Sequence, residues 1–331
     1  MLARDHVMLY YIIGDQMSRL LTTVSAITVI AGTYVNADVP KVIADIAPIH
    51  SLVSRVMDGV GEPKLIVPNE TSPHDYRLRP ADAQAIEDAN LVFWMGEGLT
   101  PWMERALEAL NSDTDIVEFL ALEESTRLSF REGALFEAHG DHDDHDKDHD
   151  DHDDHAGHDH GEFDPHAWLS TSNAKTWVNV IAAKLSSIDP NNAGTYFANA
   201  SEARNEMDAL DDEINAMLAP VRGGKFIVFH DAYQYFESVY DFPASGAISL
   251  GDASDPSAAR IAEIADRIKR ENIDCVLSEP QFNAGLVKTV MGGTDANTQV
   301  IDPLGFGIEP GSSLYPKLIR AMAQSLVDCL K

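Results

Sequence analysis

The sequence predicts an α/β protein with two lobes, each built on a mostly parallel sheet, joined by one long rigid helix. Three observations predict this fold. Short apolar runs alternate with helical patterns across residues 38–188, as in βα units, and the same alternation returns in residues 220–331. Between them, residues 189–219 carry apolar side chains at three- and four-residue steps, which indicates a single helix. The 331 residues, 44% of them hydrophobic, suffice for two cores of ordinary size.

Residues 1–37 are interpreted as an upstream extension followed by a secretory signal, with Met17 as the expected true start. Leu20–Ala31 is uncharged and largely apolar, but it is too short to span a membrane comfortably. Val35 and Ala37 stand where small residues precede a cleavage site, which is expected after Ala37. The mature protein is therefore expected to be exported, soluble and periplasmic.

In the first lobe, short apolar runs predict strands, and apolar residues at helical spacing predict helices. The strands are expected at Lys64–Val67, Leu91–Met95 and Asp115–Leu120. The helices are expected around Ile49–Val56, from Pro80 onward, over Pro101–Leu110, and from a cap at Ser170 or Thr171 to about Ser187. Proline suits the first turn of a helix, and a Ser or Thr side chain accepts a hydrogen bond from an unpaired N–H there.

The connecting helix is expected to run from Asp189 to Ala219, with Pro190 at its start and Pro220 just past its end. At 1.5 Å per residue, roughly 28 residues span about 42 Å, so this helix should act as a stiff connector. The strands of the second lobe are expected at Lys225–Phe229, Ala247–Leu250, Ile273–Leu277 and Gln299–Asp302. Its helices are expected at Ala232–Tyr240, Pro256–Glu271, Asn283–Met291 and Tyr315–Leu330.

The segment 139–160 consists almost entirely of histidine and aspartate and interrupts the first lobe. It has almost no apolar surface to bury, so it is expected to be disordered. Imidazole is a preferred ligand of zinc, copper and nickel, and carboxylates add oxygen ligands. The segment therefore indicates contact with divalent metal, although a merely solvated acidic loop is the alternative. Because flexible histidine tracts bind metals weakly, a defined site is expected elsewhere.

Three further histidines, His74, His166 and His230, lie on loops at the edges of apolar runs, where α/β sheets place their ligands. Taken singly, each fits a structural role. Together they predict a three-histidine zinc site whose fourth position is filled by a carboxylate or water.

Two carboxylates are candidates for that fourth position. Asp302 and Glu279 both follow predicted strands of the second lobe, and Asp302 has the alternative role of a turn residue before Pro303. Asp164 and Asp231 flank the candidate ligands and are expected to orient them.

Cysteine and charge content narrow the class of protein further. The two cysteines, Cys275 and Cys329, suggest a disulfide in an exported chain, with two separate buried thiols as the alternative. The net charge of −30 makes nucleic acid a poor partner, because nothing balances the repulsion of phosphates. The same acidity suits a protein that handles cations.

Five short motifs together resemble a known family. They are SPHDYRLRP, FDPHAWL, FHDAYQYF, LSEPQF and VIDPLG, with an acidic histidine tract between the first two. This set is similar to the zinc-specific members of the cluster A-I substrate-binding proteins, the ZnuA type, which serve zinc ABC importers of the bacterial periplasm. The resemblance covers essentially the whole mature chain.

The resemblance implies two lobes joined by a rigid helix, with the metal in the cleft between them. It implies that His74, His166 and His230 are the ligands, and Asp302 matches the position of a fourth, carboxylate ligand in related proteins. Some zinc members have a glutamate before the first histidine, where this chain has Pro73. The cysteine pair also matches a disulfide of some members.

The sequence therefore predicts a periplasmic receptor, not an enzyme, that captures Zn²⁺ as its transported ligand. Its expected partners are an ABC permease and its ATPase, and it is expected to be monomeric, with segment 139–160 as an accessory zinc collector or sensor. A zinc-dependent hydrolase is one alternative, since three histidines with an open position also suit catalysis. The sequence has no HExxH pair to support it. A free periplasmic zinc buffer or an adhesin is the other alternative.

Overall fold

Two four-stranded sheets form the framework of the described chain. The computed structural model describes residues 39–109, 114–131, 136, 162–249, 256–282 and 284–331. The predicted signal in residues 1–37 and the His/Asp segment 139–160 lie outside these residues. Asp38–Lys331 is one compact unit. Among the described residues, no helix has both the length and the apolar character that crossing a membrane requires.

The first sheet belongs to the N-terminal lobe. Its strands are β1 (Val42–Ala44), β2 (Lys64–Leu65), β3 (Leu91–Trp94) and β4 (Asp115–Glu118). Their order is β2-β1-β3-β4, and every pair is parallel. The helices of this lobe are α1 (Ala47–Val56), α2 (Pro80–Glu87), α3 (Pro101–Glu108) and α4 (Thr171–Ile188). The expected cap of α4 is present, since the Ser170 hydroxyl accepts the Asn173 N–H at 3.1 Å.

The long helix that joins the lobes is α5 (Ala193–Leu218), with 26 residues and a length of about 39 Å. Pro190 and Pro220 lie in short 3-10 helices, Pro190–Asn192 and Ala219–Val221, that flank it. One face of α5 is buried against α4 and α1, so the connector is also part of the core. A helix packed along its length resists bending more than an isolated one, which supports the expected stiffness.

The second sheet repeats the first. Its strands are β5 (Phe226–His230), β6 (Ala247–Ser249), β7 (Cys275–Ser278) and β8 (Asn297–Val300). Their order is β6-β5-β7-β8, again all parallel. The helices of this lobe are α6 (Gln234–Tyr240), α7 (Ala258–Glu271), α8 (Ala284–Val290) and α9 (Leu314–Leu330). The predicted two-lobed α/β fold with parallel sheets is thus confirmed.

Alternation along β5 divides the apolar interior into two cores. Phe226 and Val228 face the large core that also contains the first sheet, α5 and α9. Ile227 and Phe229 point to the opposite face, into a smaller core beneath α7 and α8. Successive side chains of a strand point to opposite faces, so a central strand that is buried on both sides is apolar throughout.

The predicted disulfide between Cys275 and Cys329 is present, with 5.7 Å between the Cα atoms. It ties the start of β7 to the end of α9. The last strand, β8, differs from the prediction because it ends at Val300 and excludes Asp302. The Asp302 carboxylate accepts the backbone N–H groups of Leu304 and Phe306, which turns the chain out of the sheet at this point.

Candidate metal centre

Three histidines and one glutamate meet in a small pocket between the lobes. His74 lies on the loop between β2 and α2, His166 precedes the 3-10 helix Ala167–Leu169, and His230 ends β5. Glu279 directly follows β7. The pocket is lined by Ser72, Pro73, His74, His166, Trp168, His230, Glu279, Gln281, Phe282, Pro303 and Leu304. Its cavity of about 10 Å³ is close to the space that one water molecule needs. Sites for organic ligands usually measure several hundred Å³.

A buried carboxylate orients His166. Asp164 is 1% exposed, and its Oδ1 lies 2.7 Å from His166 Nδ1. The same oxygen accepts the backbone N–H of His166 at 2.9 Å. Because an ionised carboxylate only accepts hydrogen bonds, Nδ1 carries the proton and Nε2 presents its lone pair. The orienting contact expected of Asp164 is therefore present.

The second lobe holds His230 in the same manner. Glu279 is buried, and its Oε1 lies 2.6 Å from His230 Nδ1. The side chain thus crosses from the end of β7 to the end of β5, the neighbouring strand. The sequence interpretation considered Glu279 for the fourth metal position. In the structure it contacts the ring atom of His230 that faces away from His166.

The two orientations bring His166 Nε2 and His230 Nε2 to 3.4 Å from each other. Two nitrogen ligands of one tetrahedral zinc are also about 3.4 Å apart, since each Zn–N bond is about 2.1 Å. With both Nδ1 atoms donating, two nitrogen lone pairs face each other at this distance. They repel unless a shared proton or a cation lies near both, and a bound metal ion would supply such a cation.

His74 completes the cluster from the N-terminal lobe. Its ring centroid is 5.8 Å from that of His166, and its Nε2 atom is buried. The loop before it is held by Trp102, whose Nε1 donates to the Pro73 carbonyl at 2.9 Å. Within the described residues, no three His, Cys, Asp or Glu side chains are already arranged as a complete set around a metal. The ring centroids of His166 and His230 are 5.2 Å apart, so the three imidazoles lie at similar spacings.

Asp302 and Asp231 do not line the pocket. Besides its two backbone contacts, Asp302 accepts Gln281 Nε2 at 2.8 Å, so its carboxylate organises the loop after β8. This is the turn role that the sequence left open as the alternative.

Asp231 pairs with Arg131 rather than with a histidine. Burial raises the pKa of the Asp231 carboxyl, and the Arg131 guanidinium acts against that rise.

His50 is a further histidine that the sequence interpretation did not weigh. It lies on α1, where its Nε2 is 3.0 Å from the Pro63 carbonyl oxygen, and it does not line the pocket. Burial lowers the pKa of His50. Sequence alone offers little to separate it from the three pocket histidines. The one usable signal is its position within a helix, because His74 lies in a loop, His166 directly precedes a 3-10 helix and His230 ends a strand.

Comparison with known proteins identifies the family of the chain. The model of the family described as zinc-uptake complex component A, periplasmic, matches residues 42–329. The high-affinity zinc uptake system protein ZnuA of Brucella abortus is 46% identical over 304 residues, which cover 87% of this chain and 91% of that protein. The protein of the same name from Paracoccus denitrificans is 42% identical over 302 residues, covering 89% and 93%.

A solved structure described as the crystal structure of ZnuA has a TM-score of 0.71 and 24% identity, and the match covers 89% of this chain and all of that one. At this identity the likeness shows the fold, while the family match and the two curated relatives carry the assignment. Taken together, these similarities show that the chain belongs to the ZnuA family, the periplasmic component A of zinc-uptake complexes.

Proposed function

We propose that this protein is a high-affinity zinc receptor that captures Zn²⁺ through His74, His166 and His230 and delivers it to an ABC importer. The observation that carries this proposal is the pair of Nε2 atoms at 3.4 Å, each on a ring whose Nδ1 contacts a buried carboxylate. Neutral imidazoles favour zinc over manganese, which prefers more oxygen ligands. Zinc is here the cargo rather than a resident cofactor.

The fourth coordination position is proposed for a water or for the Asp302 carboxylate. Asp302 would have to release its contacts with the loop after β8 to reach the metal. Glu279 supports the site through His230 instead. These two assignments make opposite predictions for Asp302→Asn, which are given in the Discussion.

Capture and delivery fit the site better than catalysis does. The family consists of uptake components, and a cavity of about 10 Å³ leaves no room for an organic substrate beside a metal ion. Export through a signal cleaved after Ala37, a monomeric state, and handover to a permease with its ATPase belong to the same proposal. Segment 139–160 is proposed as an accessory collector or sensor of zinc.

Zinc titration tests the proposal directly. The chain from Asp38 onward and the same chain without 139–160 are titrated by calorimetry in competition with a chelator. One tight site should survive the deletion and disappear in His74→Ala, His166→Ala and His230→Ala. His50→Ala is the matched control and should bind like the parent chain. Weak binding at several sites that disappears with the deletion would contradict the receptor function.

A further inference from the structure

A buried ion-pair cluster lies beside the pocket and joins the two lobes. The Arg131 guanidinium contacts Asp231 through Nε, at 3.0 Å from each carboxylate oxygen, and also through Nη2. It contacts Glu237 through Nη1 at 2.8 Å and Nη2 at 3.0 Å. The side chains of Arg131, Asp231 and Glu237 are only 16%, 7% and 6% exposed. One planar guanidinium thus holds two buried carboxylates in a defined geometry.

The two sides of this cluster come from distant parts of the chain. Arg131 belongs to the strand-like segment that leads toward the His/Asp segment 139–160. Asp231 directly follows His230, and Glu237 lies on α6. Arg131 is therefore attached to the residue next to one zinc ligand candidate. Any movement of this arginine relative to the second lobe is transmitted to the end of β5.

The same segment is also attached to the other ligand candidate, His166. Ser129 and Phe163 form an antiparallel bridge, and Asp164 N–H donates to the Leu128 carbonyl at 2.8 Å. Asp164 is the residue that orients His166. Residues 128–129 and 163–164 are thus paired to each other, and we call the two segments that contain them, 127–131 and 162–166, the stem.

Tyr235 fastens the stem to α6 a second time. Its hydroxyl accepts the Leu128 N–H at 2.9 Å and donates to the Asp164 carbonyl at 2.9 Å. Together with Arg131, this gives the stem two points of attachment to the second lobe. His166 is carried by the stem and His230 by the second lobe, so these attachments contribute to the separation of the two rings, together with the contacts of Trp168 with Pro303 and Tyr315.

Resting on the function proposed above, we infer that Arg131 is a positioning residue for zinc capture. It contributes to the separation of His166 and His230 by joining the stem to Asp231 and Glu237. Arg131 touches neither imidazole and acts through the backbone on both sides. It also separates two buried carboxylates that would repel each other, which keeps the end of β5 in place.

The chain offers a matched control for Arg131. Arg55, on α1, likewise contacts two carboxylates, Glu202 and Glu206 of α5, and its side chain is 15% exposed. Arg55 does not line the metal pocket. Glu202 and Glu206 are 68% and 58% exposed, so a change at Arg55 removes a two-carboxylate contact at the surface without affecting the stem.

The test compares Arg131→Lys with Arg55→Lys. Lysine keeps the charge but cannot engage both carboxylates as a planar fork. For Arg131→Lys, we expect zinc affinity to fall by up to about tenfold, less than the loss of a direct hydrogen-bond partner of a ligand costs, because Arg131 acts through the backbone. The visible spectrum of bound Co²⁺ should change in band position or intensity, because the ligand geometry changes. Arg55→Lys should match the parent chain in both measurements.

A second pair of variants covers the case in which Arg131→Lys does not fold. Glu237→Gln removes one charge but keeps an acceptor, and it should weaken zinc binding several-fold through Arg131. Its control is Glu206→Gln, which should have no effect on zinc. Parent-like zinc affinity and Co²⁺ spectra in folded Arg131→Lys, or in Glu237→Gln, would overturn the inference. Absence of a single tight site in the parent chain would instead refute the zinc receptor itself.

Discussion

The two sheets place different chemistry at the same topological position. In the first sheet the central strand β1 lies next to β3, and in the second sheet the central strand β5 lies next to β7. At the end of β1, Asp45 accepts the backbone N–H of Met95, the first residue after β3, at 2.8 Å. At the end of β5, His230 contacts Glu279, the first residue after β7, at 2.6 Å. In each lobe, this contact links the C-terminal ends of two neighbouring strands.

The two contacts differ in whether they leave a polar atom of the side chain available to a ligand. Both oxygens of Asp45 accept backbone N–H groups, from Ile46 and Met95, and the residue is fully buried. His230 uses Nδ1 for its contact, which leaves Nε2 directed toward the pocket and His166. An imidazole has two ring nitrogens on different sides of the ring. One nitrogen of His230 can therefore be held by Glu279 while the other faces the pocket. Asp45, which is held at both oxygens, has a structural role at the end of β1.

The largest expected effect is the difference in zinc affinity between a change at the end of β5 and a change at the end of β1. His230→Ala should lower zinc affinity by about 1,000-fold or more, roughly 4 kcal/mol, since it removes a proposed direct ligand. Asp45→Asn should leave the affinity within about twofold, because its contacts are distant from the metal. Competition titration of zinc measures both. A comparable loss in the two variants would mean that the first sheet contributes to the site in a way its geometry does not suggest.

The next effect concerns stability, because the disulfide ties β7 of the second sheet to α9. Cys275→Ala with Cys329→Ala opens a loop with a sequence separation of 54 residues. Closing a loop of that length stabilises by about 4 kcal/mol in the chain-entropy description, so urea unfolding should show a loss approaching this value. Zinc affinity at low denaturant should change little, as neither cysteine lines the pocket. A large loss of zinc affinity would show that the β7 end depends on the crosslink.

A smaller effect appears as pH dependence in the first sheet. Burial raises the pKa of Asp45 from 3.8 to about 7, although the N–H groups of Met95 and Ile46 act against that rise. Between these values the native state keeps a proton that the unfolded chain has lost. Stability contributed by Asp45 therefore falls as pH rises, by about 2 to 3 kcal/mol from pH 5 to pH 7.

Asp45→Asn should remove this slope, and urea unfolding at the two pH values, with zinc chelated, measures it. The lowered pKa of His50 changes stability in the opposite direction, because burial disfavours its charged form at low pH. That contribution is common to both chains, so the difference between parent and variant isolates Asp45. Equal slopes in the two chains would show that Asp45 is ionised in the native state at pH 5.

The smallest expected effect distinguishes two carboxylates at the edge of the second sheet. Glu279→Gln should weaken zinc binding by about 10- to 100-fold through His230, whereas Asp302→Asn should cost less than about tenfold if a water completes the coordination. Zinc titration and Co²⁺ spectra measure both. A loss for Asp302→Asn as large as that for His230→Ala would instead assign Asp302 as the fourth ligand.

Most elements followed from local patterns, and their errors have local causes. Short continuous apolar runs predicted β3, β5 and β7 to within a few residues, because central strands are buried on both faces. The predicted strand Gln299–Asp302 begins and ends two residues after the observed β8, Asn297–Val300. The contacts of Asp302 turn the chain out of the sheet there. A short edge strand carries little periodic signal of its own.

The sequence by itself determined the two-lobed α/β plan, the long helix between flanking prolines, the cysteine pair, and the histidines that meet in the pocket. These depend on period, residue type and position relative to element ends. Only the tertiary structure decided how these residues are used. His166 and His230 are 64 residues apart, and Arg131 and Asp231 are 100 apart. Which nitrogen faces the pocket, and which carboxylate holds it, depends on packing between segments whose approach no local pattern encodes.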